Sequence, residues 1–225
     1  MVKENSDSDG SLDRMEIEYG GELDGPHRSL SEVHESIRTK FQKFRQELNH
    51  WDHLQHQLVS QFKELCSLVK RARVVREWAN YDPLSYLDDI NQIVGRLVRD
   101  TDYSGKITEV SMEKTLAEFH EVVCTIGRVY EESRLEIEAC LSELGAEQVH
   151  QPIGIKPNLT ERLDKLLVLY NMHKSEYLLK RDVVSAITGI EYKPSDDLLC
   201  TLERILIAQP RITKDTVDSF LDICL

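Results

Sequence analysis

Three groups of residues in this chain have the types and spacing to do chemistry. His50, His53 and His56 form an H-x-x-H-x-x-H run. Imidazoles three residues apart on a helix can share a metal ion, but at about 100° per residue the outer two diverge by about 120°. Trp51, Leu54 and Leu58 already mark a packing face beside them, so these histidines read as exposed or packing side chains at the edge of an apolar stripe. Ser104-Gly105-Lys106 has the look of a phosphate loop. That motif needs a glycine five positions before its second glycine and a Ser or Thr directly after the lysine, and here Asp100 and Ile107 stand there. With neither the backbone cradle nor the magnesium-binding hydroxyl, the tripeptide reads as an ordinary turn, and the chain is not expected to hydrolyse nucleotide. The five cysteines, Cys66, Cys124, Cys140, Cys200 and Cys224, are odd in number, 16 or more residues apart and without a C-x-x-C pair. They suggest neither a disulfide framework nor a thiolate zinc site. No Ser or Cys sits in a recognisable nucleophile motif, so the expectation is no catalytic residue, no metal and no cofactor.

Two basic groups stand out: Lys70-Arg71 with Arg73 and Arg76, and Lys180-Arg181. One reading is docking to acidic protein, DNA or RNA. The favoured one is a solvated helix face that complements the carbonyl end of a helix. Tyr177-Leu178-Leu179 beside Lys180 reads as core plus rim, which makes Tyr177, Lys180 and Arg181 the candidate rim contacts for a protein partner.

The elements that must position these groups are helices. From Ser29 or Ser31, either of which suits an N-cap, apolar residues recur at Val33, Ile37, Phe41, Phe44, Leu48, Trp51, Leu54, Leu58, Phe62, Leu65 and Val69. Unbroken to Glu77, such a helix is on the order of 70 Å long, too long for a small globule to bury alone, and it needs partners along its length. Asp82-Pro83 caps a second helix carrying Leu84, Leu87, Ile90, Val94 and Leu97, and the polar stretch Asp100–Gly105 is expected to stop it. A third runs from Thr108 to Leu144 with Met112, Leu116, Phe119, Val123, Ile126, Tyr130, Ile137, Cys140 and Leu144 in a coiled-coil-like repeat. After a break at residues 146–157, Asn158 caps a fourth, lined by Leu163, Leu166, Tyr170, His173, Tyr177, Val184 and Ile187, with Gly189 placed as its C′ residue. Two short helices follow, Pro194 to Ala208 and Thr213 to Cys224. The sequence thus predicts an all-α, elongated helical bundle with long coiled-coil-like helices and a short C-terminal helical hairpin. Its parts are an acidic tail (1–28), a long-helix bundle (29–145), a linker (146–157) and a C-terminal helical segment (158–225). Trp51, Leu58, Phe62, Phe119, Ile126 and Tyr130 are the expected packing residues between helices, and all of them but Leu58 are candidates for partner binding.

Composition narrows the function classes. The 225 residues carry a formal charge of −12, which opposes non-specific binding to nucleic acid or anionic membrane. The first 28 residues hold eight acidic and three basic side chains and read as a disordered acidic tail, in which Ser6-Asp7-Ser8-Asp9 could serve an acid-directed kinase. No window approaches the roughly 18 apolar residues of a membrane span, and no secretory signal is visible. A reducing compartment, cytosol or nucleus, is expected.

The C-terminal half looks less generic. Gln151-Pro152 with Pro157 and Leu163, then Lys174-Ser175-Glu176-Tyr177-Leu178, Ser185-Ala186-Ile187 and Arg211-Ile212-Thr213-Lys214-Asp215, resemble the AIRIM-type ribosome maturation factors. Weaker similarity reaches back through Val129-Tyr130-Glu131 to Trp51. Glu176-Tyr177-Leu178-Leu179-Lys180-Arg181 with Asp197-Leu198 and Gln209-Pro210 is similar to the cyclin-dependent kinase 2-interacting protein family. The resemblance implies a non-enzymatic adaptor subunit of a complex built on spermatogenesis-associated AAA+ ATPases. Such a complex releases a shuttling placeholder protein from late large-subunit (pre-60S) precursors and acts on replication-fork proteins. It further implies AAA+ ATPase subunits and a second small helical adaptor as partners, and a place in cytoplasm and nucleus. A structural coiled-coil protein of cytoskeleton or kinetochore, or a cyclin-dependent kinase-binding adaptor, is the alternative.

Overall fold

The computed structural model describes residues 30–79, 88–144, 158–188 and 194–224. These form five helices and no strand: α1 (Leu30–Ala79), α2 (Asp88–Leu144), α3 (Leu159–Thr188), α4 (Asp196–Ala208) and α5 (Lys214–Cys224). The all-α bundle expected from periodicity is what the chain adopts. The acidic tail, the Asp82-Pro83 cap, the 146–157 linker and Gly189 lie outside the described residues.

The apolar stripe of α1 is buried from Val33 to Leu65 without a gap. Its main cover is the antiparallel α2. Register along this pair is fixed by polar ties at the seam: Ser36 and Lys40 on Glu136, Gln57 on Thr115, Gln61 on Ser111 and Arg76 on Asp102. At 1.5 Å per residue the two helices are roughly 75 and 85 Å long, and each supplies the partner length the other needs.

α2 departs from expectation at one place. The stretch Asp100–Gly105 was expected to end a helix; instead α2 runs through it from Asp88 to Leu144. The packing period explains why. Val94, Thr101, Thr108 and Met112 are buried in one stripe, so the face towards α1 continues across the polar stretch, and tertiary contact overrides local propensity. Thr101 and Thr108 turn their hydroxyls back onto the carbonyls of Leu97 and Ser104 at 2.7 and 3.1 Å, which satisfies them inside the helix. Gly105 tolerates the helix because its missing side chain faces open space.

α3 lies along the other flank of α2. Its buried positions are Leu159, Arg162, Leu166, Leu169, His173, Glu176, Lys180, Val183, Val184 and Ile187. This is a three-four repeat with charged residues inside it. Asn158 Oδ1 accepts from the Glu161 amide at 2.8 Å, the expected N-cap. Where α2 and α3 come closest, Gly127 is required: a Cβ there would stand 2.9 Å from Cε2 of Tyr170. Ser195 caps α4 by accepting from Leu198 N at 3.2 Å. The helix ends at Gln209 in the left-handed region (φ 44°) immediately before Pro210, which cannot continue a helix. Leu199, Leu202 and Leu206 of α4 and Phe220 of α5 enter the same core as α1, α2 and α3. Phe220 packs edge-on against Phe41 and Phe44, with ring centroids 5.5 and 5.3 Å away.

Candidate functional site

The residues singled out in the sequence separate into a buried group and a surface group. Trp51, 1% exposed, is the centre of the first. Its ring meets Phe119 and His173 edge-on at 4.5 and 4.8 Å, and its indole N–H donates to Gln209 Oε1 at 2.9 Å. Phe62 and Ile126 are fully buried, and Tyr130, half-buried, stacks in parallel on Tyr170 at 6.4 Å. These side chains do pack between helices, but the helices belong to this chain. A partner cannot reach Trp51, Phe62, Phe119 or Ile126 in the folded molecule, so their reading as partner-binding residues is corrected: the apolar stripes close on one another.

Lys180 requires a second correction. It is not a rim contact but 0% exposed, with its ammonium 5.6 Å from both the Trp51 and Phe119 ring centroids. Glu176, one turn earlier and 1% exposed, takes Lys180 Nζ on Oε1 at 2.9 Å and the backbone amide of Arg211 on Oε2 at 3.0 Å. A charge can be buried only where a counter-charge and aligned donors meet it, and the α3 repeat delivers both at i and i+4. Burial pulls the Lys180 ammonium below the ordinary lysine range, and the Glu176 carboxylate opposes that shift. Beside them, burial lowers the basicity of His173; its Nδ1 lies 2.8 Å from the Leu169 carbonyl oxygen, which counters the shift, as do the charges of Asp52 and Glu176. Gln55 donates to the Leu206 carbonyl at 2.7 Å. These contacts lock α1, α3 and the α4–α5 turn together. Glu176, Gln209 and Arg211, which carried the resemblance, are therefore parts of one buried polar lock. Sequence reading missed this role because charged residues were left off the α3 stripe; the signal was Glu176 and Lys180 at i, i+4 on the heptad positions between His173 and Val184.

Tyr177 is half-buried with its ring 5.4 Å from that of His120, and Arg181 is exposed, its guanidinium 3.2 Å from Asp182. Only these two of the three rim candidates reach the surface. The basic cluster at the end of α1 is partly engaged within the chain. Arg73 bonds Asp196 at 3.1 Å and the Pro194 carbonyl at 2.7 Å, and Arg76 bonds Asp102 at 2.8 Å. Between them opens a groove of about 460 Å³ with Leu65, Val69, Ala72 and Ile187 among its apolar walls. Glu109 lines it, its carboxyl raised by burial and by Glu113 against the opposing charge of Lys106. Ser104, Gly105 and Lys106 stand within α2 rather than in a turn. His50, His53 and His56 are exposed, and among the described residues no three His, Cys, Asp or Glu side chains cluster as a metal site. No helix among those residues is long and apolar enough to cross a membrane.

The described residues form a helical bundle whose buried charges are paired and whose α1–α2 end carries a groove and an exposed basic cluster. The chain belongs to the family of ribosome biogenesis protein C1orf109-like, whose model matches residues 31–225. AIRIM is C1orf109, so this is the first of the two families the sequence resembles. The match takes in all five helices and the whole polar lock. No curated protein matches the chain.

Proposed function

We propose that this ribosome biogenesis protein acts as a non-enzymatic adaptor in a complex driven by AAA+ ATPases of the spermatogenesis-associated type. Its helices position a pre-60S client for release of a shuttling placeholder protein, and the same complex serves replisome proteostasis. The observation that carries the reading is family membership over nearly the whole folded chain, in a molecule whose buried Glu176 and Lys180 are tied to each other and to backbone. A second small helical adaptor, similar to the cyclin-dependent kinase 2-interacting protein, completes the complex in this reading, and the site of action is nucleus and cytoplasm. The structural coiled-coil alternative loses its main support, because stripes that close inside one chain no longer call for a homo-oligomer.

The test is affinity purification of the tagged chain from cell extract, identification of co-purifying proteins and an ATPase assay on the eluate. Recovery of an AAA+ ATPase, a second small helical subunit and pre-60S particles is the expected result. Recovery of the chain alone or with cytoskeletal proteins refutes the adaptor role, and ATP turnover by the purified chain refutes the non-enzymatic one.

A further inference from the structure

One end of the α1–α2 hairpin breaks the pattern of the rest of the surface. Seven of the eleven large apolar side chains that the described residues leave exposed belong to Val74 and Trp78 of α1 and to residues 93–110 of α2. Register and azimuth bring part of this set together. Because Arg76 meets Asp102 and Gln61 meets Ser111, Trp78 falls level with the turn of α2 that carries Leu97. At about 100° per residue, Val74 and Trp78 lie roughly opposite Ala72 and Arg76, which line the groove, and Ile93 and Leu97 lie roughly opposite Asp102 and Glu109, which line it too. The four share the hairpin face turned away from α3. On each helix they are spaced i, i+4, the spacing with which this chain seats one helix against another. Along the same seam towards the middle of the hairpin the positions are polar, with Gln57, Gln61, Ser111 and Thr115 bonding across it. The apolar face is confined to the end.

The charge changes there too. Residues 70–79 and 88–107 hold seven Lys and Arg against five Asp and Glu, whereas residues 108–144 hold three against nine, in a chain of net −12. Lys70, Arg71 and Arg96 are exposed around the apolar face, against Asp89 and Asp100 on its α2 edge. An exposed tryptophan set among apolar side chains and arginines has the composition of an interface centre.

We propose that this end of the hairpin, centred on Trp78 and Leu97, is the docking site for an acidic amphipathic helix of a protein partner. The helix completes a three-helix contact, with its leucine-type face on Val74, Trp78, Ile93 and Leu97 and its carboxylates towards Lys70, Arg71 and Arg96. The inference deepens the adaptor reading by naming the surface and the chemistry of what it takes, and it stands or falls separately from the identity of the ATPase.

The probe is a labelled 21-residue peptide with leucines at i, i+3, i+4 and i+7 and glutamates elsewhere, paired with a twin carrying lysines for the glutamates. Binding to the full chain is followed by anisotropy at physiological salt and by tryptophan emission, to which exposed Trp78 (56%) contributes the solvent-sensitive part. The acidic peptide is expected to bind and to blue-shift that emission. The lysine twin, and the acidic peptide on Trp78→Ala or Leu97→Asp, are expected to bind at least tenfold more weakly. Because both substituted side chains are exposed, unchanged circular dichroism will show that the fold survives. Equal binding of the two peptides, no binding, or indifference to both substitutions overturns the proposal. So does a Trp78-dependent dimer, a gain of peptide binding when residues 1–28 are deleted, which would make the acidic tail the occupant, or a stronger response to single-stranded RNA than to the peptide. If the acidic peptide binds as expected while an AAA+ ATPase fails to co-purify, the docking site holds and the proposed function fails.

Discussion

Removing the Glu176 carboxylate is the sharpest test of how the core is held. In Glu176→Ala the Lys180 ammonium, 0% exposed, loses its counter-ion at 2.9 Å, and the Arg211 amide loses its acceptor at 3.0 Å. An uncompensated buried charge costs about 3–5 kcal/mol, and for a chain of this size that lowers the thermal midpoint by roughly 6–20 °C. The aromatic faces of Trp51 and Phe119 near the ammonium soften the loss without replacing the carboxylate. The double variant Glu176→Leu/Lys180→Met removes both charges and leaves one buried amide without its acceptor, a cost of about 1–3 kcal/mol. It is therefore expected to be more stable than Glu176→Ala alone. Urea unfolding followed by far-ultraviolet circular dichroism, on the wild type, Glu176→Ala, Glu176→Leu, Lys180→Met and the Leu/Met double, closes the cycle. Should Glu176→Ala cost less than about 1 kcal/mol, or the double cost as much as Glu176→Leu and Lys180→Met combined, Lys180 is not held by Glu176 in the way described.

Further measurements address other parts of the molecule. Gly105→Ala is expected to raise stability by about 0.5–1 kcal/mol as an open helix-interior position, whereas Gly127→Ala is expected to give a net loss as Tyr170 is pushed aside; a loss at Gly105 would mean that α2 is broken there. Burial holds the folded-state pKa of His173 below 6.5, so the unfolded chain takes up a proton that the native one refuses. This residue's share of stability is then complete above pH 6.5 and falls as pH drops, by up to about 1.4 kcal/mol per unit until the lowered native pKa is reached. Titrating the stability of wild type and His173→Gln between pH 5 and 8 should show the shallower slope in the variant, and parallel slopes would exclude the effect. Cys124 and Cys200 are exposed while Cys66 is buried, its thiol pushed by burial up to about 11. A thiol reagent at neutral pH is expected to label the first two quickly and Cys66 only on unfolding, and rapid labelling of Cys66 in the native protein would contradict the α1–α4 packing.

What could be read in advance follows from how each residue solves its local problem. The α1 stripe was legible residue by residue because its own side chains are uniformly apolar, and burial there is a matter of period alone. Asn158 as a cap and Pro210 as a stop were legible for a related reason, since both act on their own backbone. The run through Asp100–Gly105 was not, because its helicity is decided by the α1 surface against which Thr101 and Thr108 pack. Lys180 was the hardest: its burial depends on an aromatic pair from two other helices and on an amide 31 positions onward, none of them visible from the local pattern.

The polar lock also sets an order on synthesis. Trp51 and its indole partner Gln209 are 158 positions apart, and Glu176 binds an amide that follows it by 35. As the chain leaves the ribosome, α1 and α2 can pair early, but the Glu176 carboxylate has only half its partners and the indole N–H none of its protein ones until residues past Arg211 emerge. Nascent chains stalled before that point should present an apolar trough where Leu199, Leu202, Leu206 and Phe220 belong, a surface suited to holding chaperones. A fusion that tethers the last helix away from α1 would prolong that state without altering a single core residue.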